Sequence, residues 1–161
     1  MYITITNIKG AESVDIALIE TTDLNEIKEL WQGLTKLHAE KSPYFSDEFK
    51  NMNFEKRMEQ LKDKVGDGEI KILLLIDNGK KIGYCISSYF HNEGEIDSIY
   101  VDKNYRGYHL GEKLMENALD WLKSKEPKLI KLNVAHGNEE VFSFYEKFGF
   151  YPRTYTLIKK S

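Results

Sequence analysis

The hydrophobic and polar positions at the start of the chain follow a period of two, which is the period of a β-strand. Tyr2–Ile8 alternates apolar and polar residues and predicts a first strand. Lys9–Ser13, which contains Gly10, interrupts the pattern, and Val14–Ile19 predicts a second short strand.

A helical period follows in the next part of the chain. Asp23 stands before apolar residues at helical spacing, and Glu26 follows three residues later, as in a capping box. We expect a helix from this point to about His38, ended before Pro43. Asn53–Val65 predicts a second, more highly charged helix.

The middle of the chain predicts three antiparallel strands joined by short turns. Ile70–Ile76 is an almost continuous apolar run, and Lys81–Phe90 is a second strand pattern. The Asn78-Gly79 pair between them is a strong hairpin signal, because both central positions of a type I′ turn need φ > 0. His91–Gly94 predicts a second turn, and Glu95–Val101 predicts a third strand.

The last third of the chain changes to an alternation of helices and strands. A helix is expected over Leu110–Leu122, after the Gly107–Gly111 loop. Leu129–Val134 predicts a strand, Glu139–Phe148 a helix and Phe150–Ile158 a last strand. The pattern predicts an α/β fold with one mixed, mostly antiparallel twisted sheet of about seven strands and helices on both faces.

Composition narrows the class of protein. The 161 residues favour a single domain over 1–161, with 41% hydrophobic and 30% charged residues as in an ordinary globular protein. The net charge of −3 argues against a general nucleic-acid binder and is compatible with a cationic acceptor. Cys85, the single cysteine, lies in an apolar run and is expected to be a buried thiol. The first residues lack a signal-peptide pattern and no segment is long enough to span a membrane, so we expect a cytoplasmic protein.

The segment from Ile99 to Gly111 carries the clearest chemical signal. A strand runs there into a loop with two glycines, which opens a helix. Free N–H groups at a helix start attract an anion, Gly107 and Gly111 let the backbone approach a phosphate, and Arg106 adds a positive charge. An ordinary glycine-containing turn would give the same local pattern. A Walker loop is excluded because Gly111 is not followed by Lys-Ser/Thr, and a Rossmann fingerprint because the loop follows a hairpin meander.

This half of the chain resembles the GNAT superfamily of acetyl-CoA-dependent N-acetyltransferases. The family's pyrophosphate loop reads Arg/Gln-x-x-Gly-x-Gly/Ala. Arg106 and Gly111 occupy its first and last positions, and His109 replaces its middle glycine. Ile99–Asp102 matches the family's strand before the loop. Leu132–Asn138 matches the family's fifth strand and its loop, and Phe144–Phe150 matches its closing motif. These motifs cover about a third of the chain.

The resemblance implies that acetyl-CoA is the co-substrate. The amides of Ile99 and Val101 would serve the acetyl carbonyl and the pantetheine, while the peptide N–H of His109 could still hold a phosphate. Asn138 would contact the CoA arm, or cap the helix that follows it. The implied cofactor-binding set is Ile99, Tyr100, Val101, Arg106, Gly107, Tyr108, His109, Leu110, Gly111 and Asn138. The four histidines lack metal-ligand spacing, so no metal is expected.

The resemblance also implies direct attack of an amine on the thioester through a tetrahedral intermediate. Tyr145 matches the family tyrosine that gives a proton to the departing sulfur, although an aromatic residue here also suits a helix core. The general base is Asp97, Glu95 or water. The two carboxylates stand two residues apart on one face of the predicted strand, and Asn133 stands where some relatives carry a glutamate.

The acceptor is expected near the first helix and its following loop, where the family binds acceptors. His38, Tyr44 and Phe45 would line an amine pocket, including by cation–π contact, while Trp31 is expected in the core. A closed aromatic pocket would favour a small amine or polyamine, which is the leading interpretation. An open groove would favour a protein N-terminus or lysine. A non-catalytic acyl-CoA sensor and a homodimer both stay open, and no nucleic-acid or membrane partner is expected.

Overall fold

The computed structural model describes residues 2–9 and 12–161, so Gly10 of the predicted interruption lies outside the described residues. These residues form one sheet of six strands in the order β1-β2-β3-β4-β5-β6, antiparallel except for the parallel pair of β5 and β6. The strands are β1 Tyr2–Lys9, β2 Glu12–Thr21, β3 Glu69–Asp77, β4 Lys80–Phe90, β5 Glu93–Val101 and β6 Leu129–Leu132. The α-helices are α1 Lys28–Lys41, α2 Ser46–Lys50, α3 Phe54–Val65, α4 Leu110–Ser124 and α5 Phe142–Glu146.

The alternating side chains of β3 separate two hydrophobic cores on opposite faces of the sheet. Leu73 and Leu75 belong to the core that α4 completes. Ile72 and Leu74 belong to the core that is covered by α1 and α3. Each fully buried leucine or isoleucine stabilises the fold by roughly 1.5–3 kcal/mol. The helices therefore lie on both faces of the sheet, as the sequence predicted.

Both predicted turns of the meander are tight two-residue turns. Asn78 and Gly79 have φ of 46° and 82°, as the type I′ prediction requires. His91 and Asn92 repeat the arrangement with φ of 49° and 61°, so β5 begins at Glu93, two residues before its predicted start.

The start of the first helix differs in detail from the predicted capping box. The Asp23 side chain accepts a hydrogen bond from the Asn25 amide at 2.9 Å, but it caps a 3-10 turn over Leu24–Ile27. The side chain of Glu26 pairs with Lys81 on β4 instead of returning to the cap. The following helix α1 then continues three residues past His38.

The prediction of a seventh strand over Phe150–Ile158 is wrong for this structure. The amide of Phe150 donates to the carbonyl of Tyr145 at 3.2 Å, which ends the turn after α5 instead of starting a ladder. Residues 151–161 have no regular secondary structure, and Leu157 is 93% exposed. The alternation of these residues fits a strand, but a strand forms only where an edge pairs with it.

The predicted helix over Glu139–Phe148 is also shorter and divided. A 3-10 turn covers Glu139–Val141, and α5 contributes only Phe142–Glu146. Cys85 lies in β4 as a fully buried thiol, as predicted, and burial raises its pKa to about 12.

Candidate active site

The site lies where β5 and β6 separate. The two strands pair from Glu93 with Leu129 to Ile96 with Leu132, and the pairing stops there. Asp97 is the extra residue of a β-bulge, because Ile96 and Ser98 are opposite consecutive residues of β4. The bulge bends β5 and leaves its last residues with an unpaired edge.

The amides of Ile99 and Val101 face this open edge. At the end of β5 the amide of Asp102 donates to the carbonyl of Ile82 on β4 at 2.8 Å. Successive amides of a strand point to opposite sides. The N–H of Tyr100 therefore also faces β4, whereas those of Ile99 and Val101 face away from it. These two N–H groups can donate hydrogen bonds to a carbonyl oxygen and to an extended chain that contains amide groups.

A cavity of about 750 Å³ adjoins this edge and extends between α1, α3 and α5. It brings together much of the predicted site. The predicted residues that line the cavity are His38, Asp97, Ile99, Tyr100, Val101, Arg106, Gly111, Asn138 and Tyr145. Those that do not line it are Tyr44, Phe45, Glu95, Gly107, Tyr108, His109 and Leu110.

The glycine loop is fixed by its alternate side chains. Tyr108 is 8% exposed and Leu110 is 1% exposed, and both pack into the core beneath α4. Gly107 and His109 have φ of 84° and 57°, which favour glycine. The positive φ at position 109 explains why the family has a glycine there. His109 adopts this left-handed conformation although it carries a side chain.

The start of α4 leaves its first amides available. His109 is the N-cap residue, and its side chain makes no capping hydrogen bond. Its imidazole lies in solvent, 3.3 Å from the carboxylate of Glu112, which also pairs with Lys147 at 3.0 Å. The ring therefore leaves the loop backbone unobstructed, as the sequence interpretation required. Free amides at the positive end of a 15-residue helix suit a pyrophosphate.

The two carboxylates of β5 share one lysine of α3. Lys64 Nζ lies 2.5 Å from Asp97 Oδ1 and 3.0 Å from Glu95 Oε2. Glu95 Oε1 also accepts from Asn133 at 3.2 Å, whereas Asp97 Oδ2 is buried and has no hydrogen-bond partner among the described residues. Burial raises the pKa of Asp97, and Lys64 opposes this shift.

Tyr145 presents a phenol to the cavity from a tightly packed position. Its ring contacts Phe144 and Phe150 edge to face, at centroid distances of 5.3 and 6.4 Å. Burial raises the pKa of Tyr145 to about 12, with a smaller contribution from Cys85. The hydroxyl therefore stays protonated throughout the neutral range.

Asn138 is held by α1 and not by the turn that it precedes. Its Oδ1 accepts from Lys41 Nζ at 3.0 Å. Asn138 does occupy the N-cap position of the turn that follows, as one alternative expected, but its side chain makes no capping hydrogen bond. Lys41 also pairs with Glu140. The next residue back, Gly137, packs against the carbonyl of Lys41. These contacts join the end of α1 to the loop after β6.

The predicted aromatic acceptor pocket is only partly present. His38 lines the cavity next to Phe49, at a ring distance of 5.2 Å, and burial lowers its pKa. Tyr44 is 62% exposed and stacks on His136 outside the cavity, so its predicted role as a wall is wrong for this structure. Trp31 is 5% exposed in the core, as predicted.

Sequence reasoning missed the contributions of α1 and α3. Lys64 and Lys41 hold site residues, and the cavity has further lining residues from these helices that no motif marks. Among them are Leu34, Thr35, Leu37, Arg57, Met58 and Leu61, and the loop before α3 adds Met52. The helical period predicted the two helices, but nothing local indicates which exposed lysine reaches a strand 31–33 residues further along.

Residues 2–9 and 12–161 contain no group of three or more His, Cys, Asp and Glu side chains that could hold a metal ion. In the same part of the chain, no helix combines the length and apolar character needed to cross a membrane.

The bulged open edge and the glycine loop that opens a helix are the two features that the resemblance led us to expect of a site for an acyl-CoA donor. Residues 31–150 match the model of the acetyltransferase (GNAT) family, so the chain belongs to that family. This membership is what the resemblance of the sequence implied.

Curated relatives extend the likeness to enzymes with protein substrates. The chain is 30% identical over 76 residues to the [ribosomal protein bS18]-alanine N-acetyltransferase of Escherichia coli K12, covering 47% of this chain and 51% of that protein. It is 33% identical over 87 residues to N-alpha-acetyltransferase 30 of Schizosaccharomyces pombe, covering 50% and 58%. The chain spans about half the length of the curated relatives it matches.

A solved structure of a small-molecule enzyme shares the fold. The aminoglycoside N-acetyltransferase AAC(6')-Iy in complex with CoA superposes with a TM-score of 0.63 at 12% identity, covering 93% of this chain and 97% of that chain. The same fold therefore accompanies acceptors of different kinds.

Proposed function

We propose that this enzyme acetylates the α-amino group of a peptide or protein. The observation that carries the proposal is the shape of the acceptor end. Tyr44 and Phe45 do not close the cavity, and no described residue after Tyr145 lines it. A chain with a free N-terminus could enter such a cleft, whereas a closed aromatic pocket would have favoured a polyamine. The names of the two curated relatives agree with this acceptor.

Acetyl-CoA would supply the acetyl group as an activated thioester. The residues present fit it. The amides of Ile99 and Val101 form an open row of donors, and the first turn of α4 with Arg106 offers a site for the pyrophosphate. Donors fixed in the backbone stabilise the negative charge that develops on a carbonyl oxygen under attack.

Asp97 is the general base of the proposed reaction. As the amine nitrogen bonds to the acetyl carbon, it must lose a proton. Asp97 lines the cavity, and its buried Oδ2 has no hydrogen-bond partner among the described residues, so we assign the proton to this oxygen. Glu95 does not line the cavity, and both of its oxygens are occupied. We therefore assign Glu95 to the support of Asp97, and transfer through one water remains consistent with this geometry.

Tyr145 stabilises the leaving thiolate as a hydrogen-bond donor. When the C–S bond breaks, the sulfur becomes a thiolate whose conjugate thiol has an ordinary pKa near ~8.5. Burial raises the pKa of Tyr145 to about 12, so the phenol carries its proton when this thiolate forms. We assign to the phenol a hydrogen bond to the developing thiolate, and solvent supplies the proton that the free thiol finally carries.

A panel of acceptors tests the proposal. The purified chain is incubated with acetyl-CoA and one acceptor, and the acetylated product is identified by mass spectrometry. The acceptors are a peptide with a free N-terminus, the same peptide blocked at its N-terminus but carrying lysine, and spermidine. We expect acetylation of the free N-terminus alone. Acetylation of spermidine alone would restore the small-amine interpretation, and binding of acetyl-CoA without any product would indicate a sensor.

A further inference from the structure

Lys64 connects the end of α3 to the bulge of β5. Its ammonium group lies between Glu95 and Asp97, at 3.0 and 2.5 Å, and 5.5 Å from the centre of the Phe90 ring. The side chains of the two carboxylates are 10% and 6% exposed, whereas that of Lys64 is 36% exposed. A cation that is partly in solvent thus holds two anions that are almost completely buried.

The contacts divide the two carboxylates into a supporting and a reacting group. Glu95 has a partner on each oxygen, from Lys64 and Asn133. Asp97 is held by Lys64 through Oδ1, whereas its buried Oδ2 has no hydrogen-bond partner among the described residues. When one oxygen of a carboxylate is fixed by a hydrogen bond, the second oxygen points in a defined direction. An aspartate whose side chain rotates freely has no such fixed direction.

We propose that Lys64 is a positioning residue of this acetyltransferase, which fixes the orientation of Asp97 and keeps it ionised as a proton acceptor. The inference rests on the proposed function of Asp97. Lys64 does not line the cavity and touches neither substrate in this scheme. It acts through Asp97.

The groups that surround Asp97 determine whether its carboxyl group is ionised. Lys64 faces it from α3, Glu95 from β5, and Ser88 and Cys85 from β4. Burial and the charge of Glu95 favour the protonated acid, whereas the hydrogen bond and the charge of Lys64 favour the carboxylate. Lys64 is the cation among these described groups, so its removal should raise the pKa of Asp97 further.

The test compares Lys64→Met, Lys64→Arg and a control over the pH dependence of kcat/KM for the acetylated peptide. Lys64→Met should lower kcat/KM at pH 7 by about tenfold or more and move the acid limb of the profile up by about 1 pH unit, since an opposite charge this close shifts a carboxylate by 1–3 units. Lys64→Arg should restore both. KM for acetyl-CoA should be unchanged, because the donor site is not touched.

Lys125→Met is the matched control. Lys125 also joins a helix end to a strand carboxylate, Glu69 at 2.7 Å, and also lies over an aromatic ring, Trp121 at 5.6 Å. It should leave the profile in place. Loss of rate in Lys64→Met with an unmoved acid limb would overturn the proposal, because a merely structural lysine lowers the rate at every pH alike.

Glu95→Gln gives a second test, in which the acid limb should move in the opposite direction. This variant also tests the proposal if Lys64→Met fails to fold. Removing the neighbouring negative charge should move the acid limb down, while the amide can still accept from Asn133. An upward or absent movement would contradict the inference. Failure of the proposed function would look different, since the unmodified enzyme would then acetylate no peptide N-terminus in the acceptor panel.

Discussion

The backbone carbonyl of Lys41 occupies the place that a side chain on Gly137 would need. A Cβ built on Gly137 would lie 2.2 Å from that oxygen, and the residue has a φ of 96°. The contact fixes the loop that carries Asn138 against the end of α1.

Gly137→Ala should therefore destabilise the protein and reduce acetyl transfer. The left-handed backbone alone costs about 1–2 kcal/mol with a Cβ, and the collision with a carbonyl adds to it. Gly149→Ala is the control, because Gly149 has a similar φ of 83° but no atom near its Cβ position. Thermal melts should show a larger loss for Gly137→Ala. Equal losses would mean that the loop simply moves away from α1.

Tyr145→Phe should lower turnover by roughly 10²-fold, since the phenol stabilises charge on the leaving sulfur. Affinity for acetyl-CoA should hardly change, because the ring and its contacts with Phe144 and Phe150 remain. The deficit should shrink with an acyl donor whose thiol leaves easily. Tyr89→Phe removes a hydroxyl outside the cavity and should leave turnover unchanged. Full activity of a folded Tyr145→Phe protein would remove the residue from the mechanism.

Gly111→Val should abolish the stabilisation that acetyl-CoA gives. A Cβ at this position would lie 3.5 Å from the Phe144 ring, which is ordinary contact, so Gly111→Ala should still bind. The added methyl groups of valine must enter either that ring or the cavity. At about 100 times its dissociation constant, a ligand stabilises the folded state by about 2.7 kcal/mol. Thermal melts with and without acetyl-CoA measure this, and an undiminished shift in Gly111→Val would make the loop an ordinary turn.

His109→Gly should leave affinity for acetyl-CoA equal or higher. The residue has a φ of 57°, which glycine adopts without strain, and Glu112 keeps its contact with Lys147. His109→Ala separates the two effects, because it removes the imidazole but keeps the Cβ. Titration calorimetry of both variants checks the prediction. Weaker binding by both would show that the imidazole itself contacts the cofactor.

Local sequence predicted the parts of the fold that depend on neighbouring residues. The Asn78-Gly79 turn and the apolar face of α4 follow from backbone preference and helical period, which act within a few residues. The same reasoning placed a strand at Phe150–Ile158, because alternation indicates only that a segment could pair. Whether an edge accepts it is a property of the rest of the molecule.

The site divides in the same way. Residues Ile99–Gly111 are contiguous, and their motif located the open edge and the loop. Lys64 reaches Asp97 from 33 residues away, and Lys41 reaches Asn138 from 97 away. Neither lysine differs in sequence from any exposed lysine of a charged helix, so only the tertiary arrangement identifies them.

The burial of Cys85 has a practical meaning for the measurement of this enzyme. It is the single cysteine, it is 0% exposed, and a pKa of about 12 keeps it as an unreactive thiol. A folded preparation therefore presents no thiolate of its own to a chromogenic disulfide or maleimide reagent. Every equivalent of signal in such an assay comes from free CoA, so the colour counts turnovers directly and an increase in the blank reports unfolding.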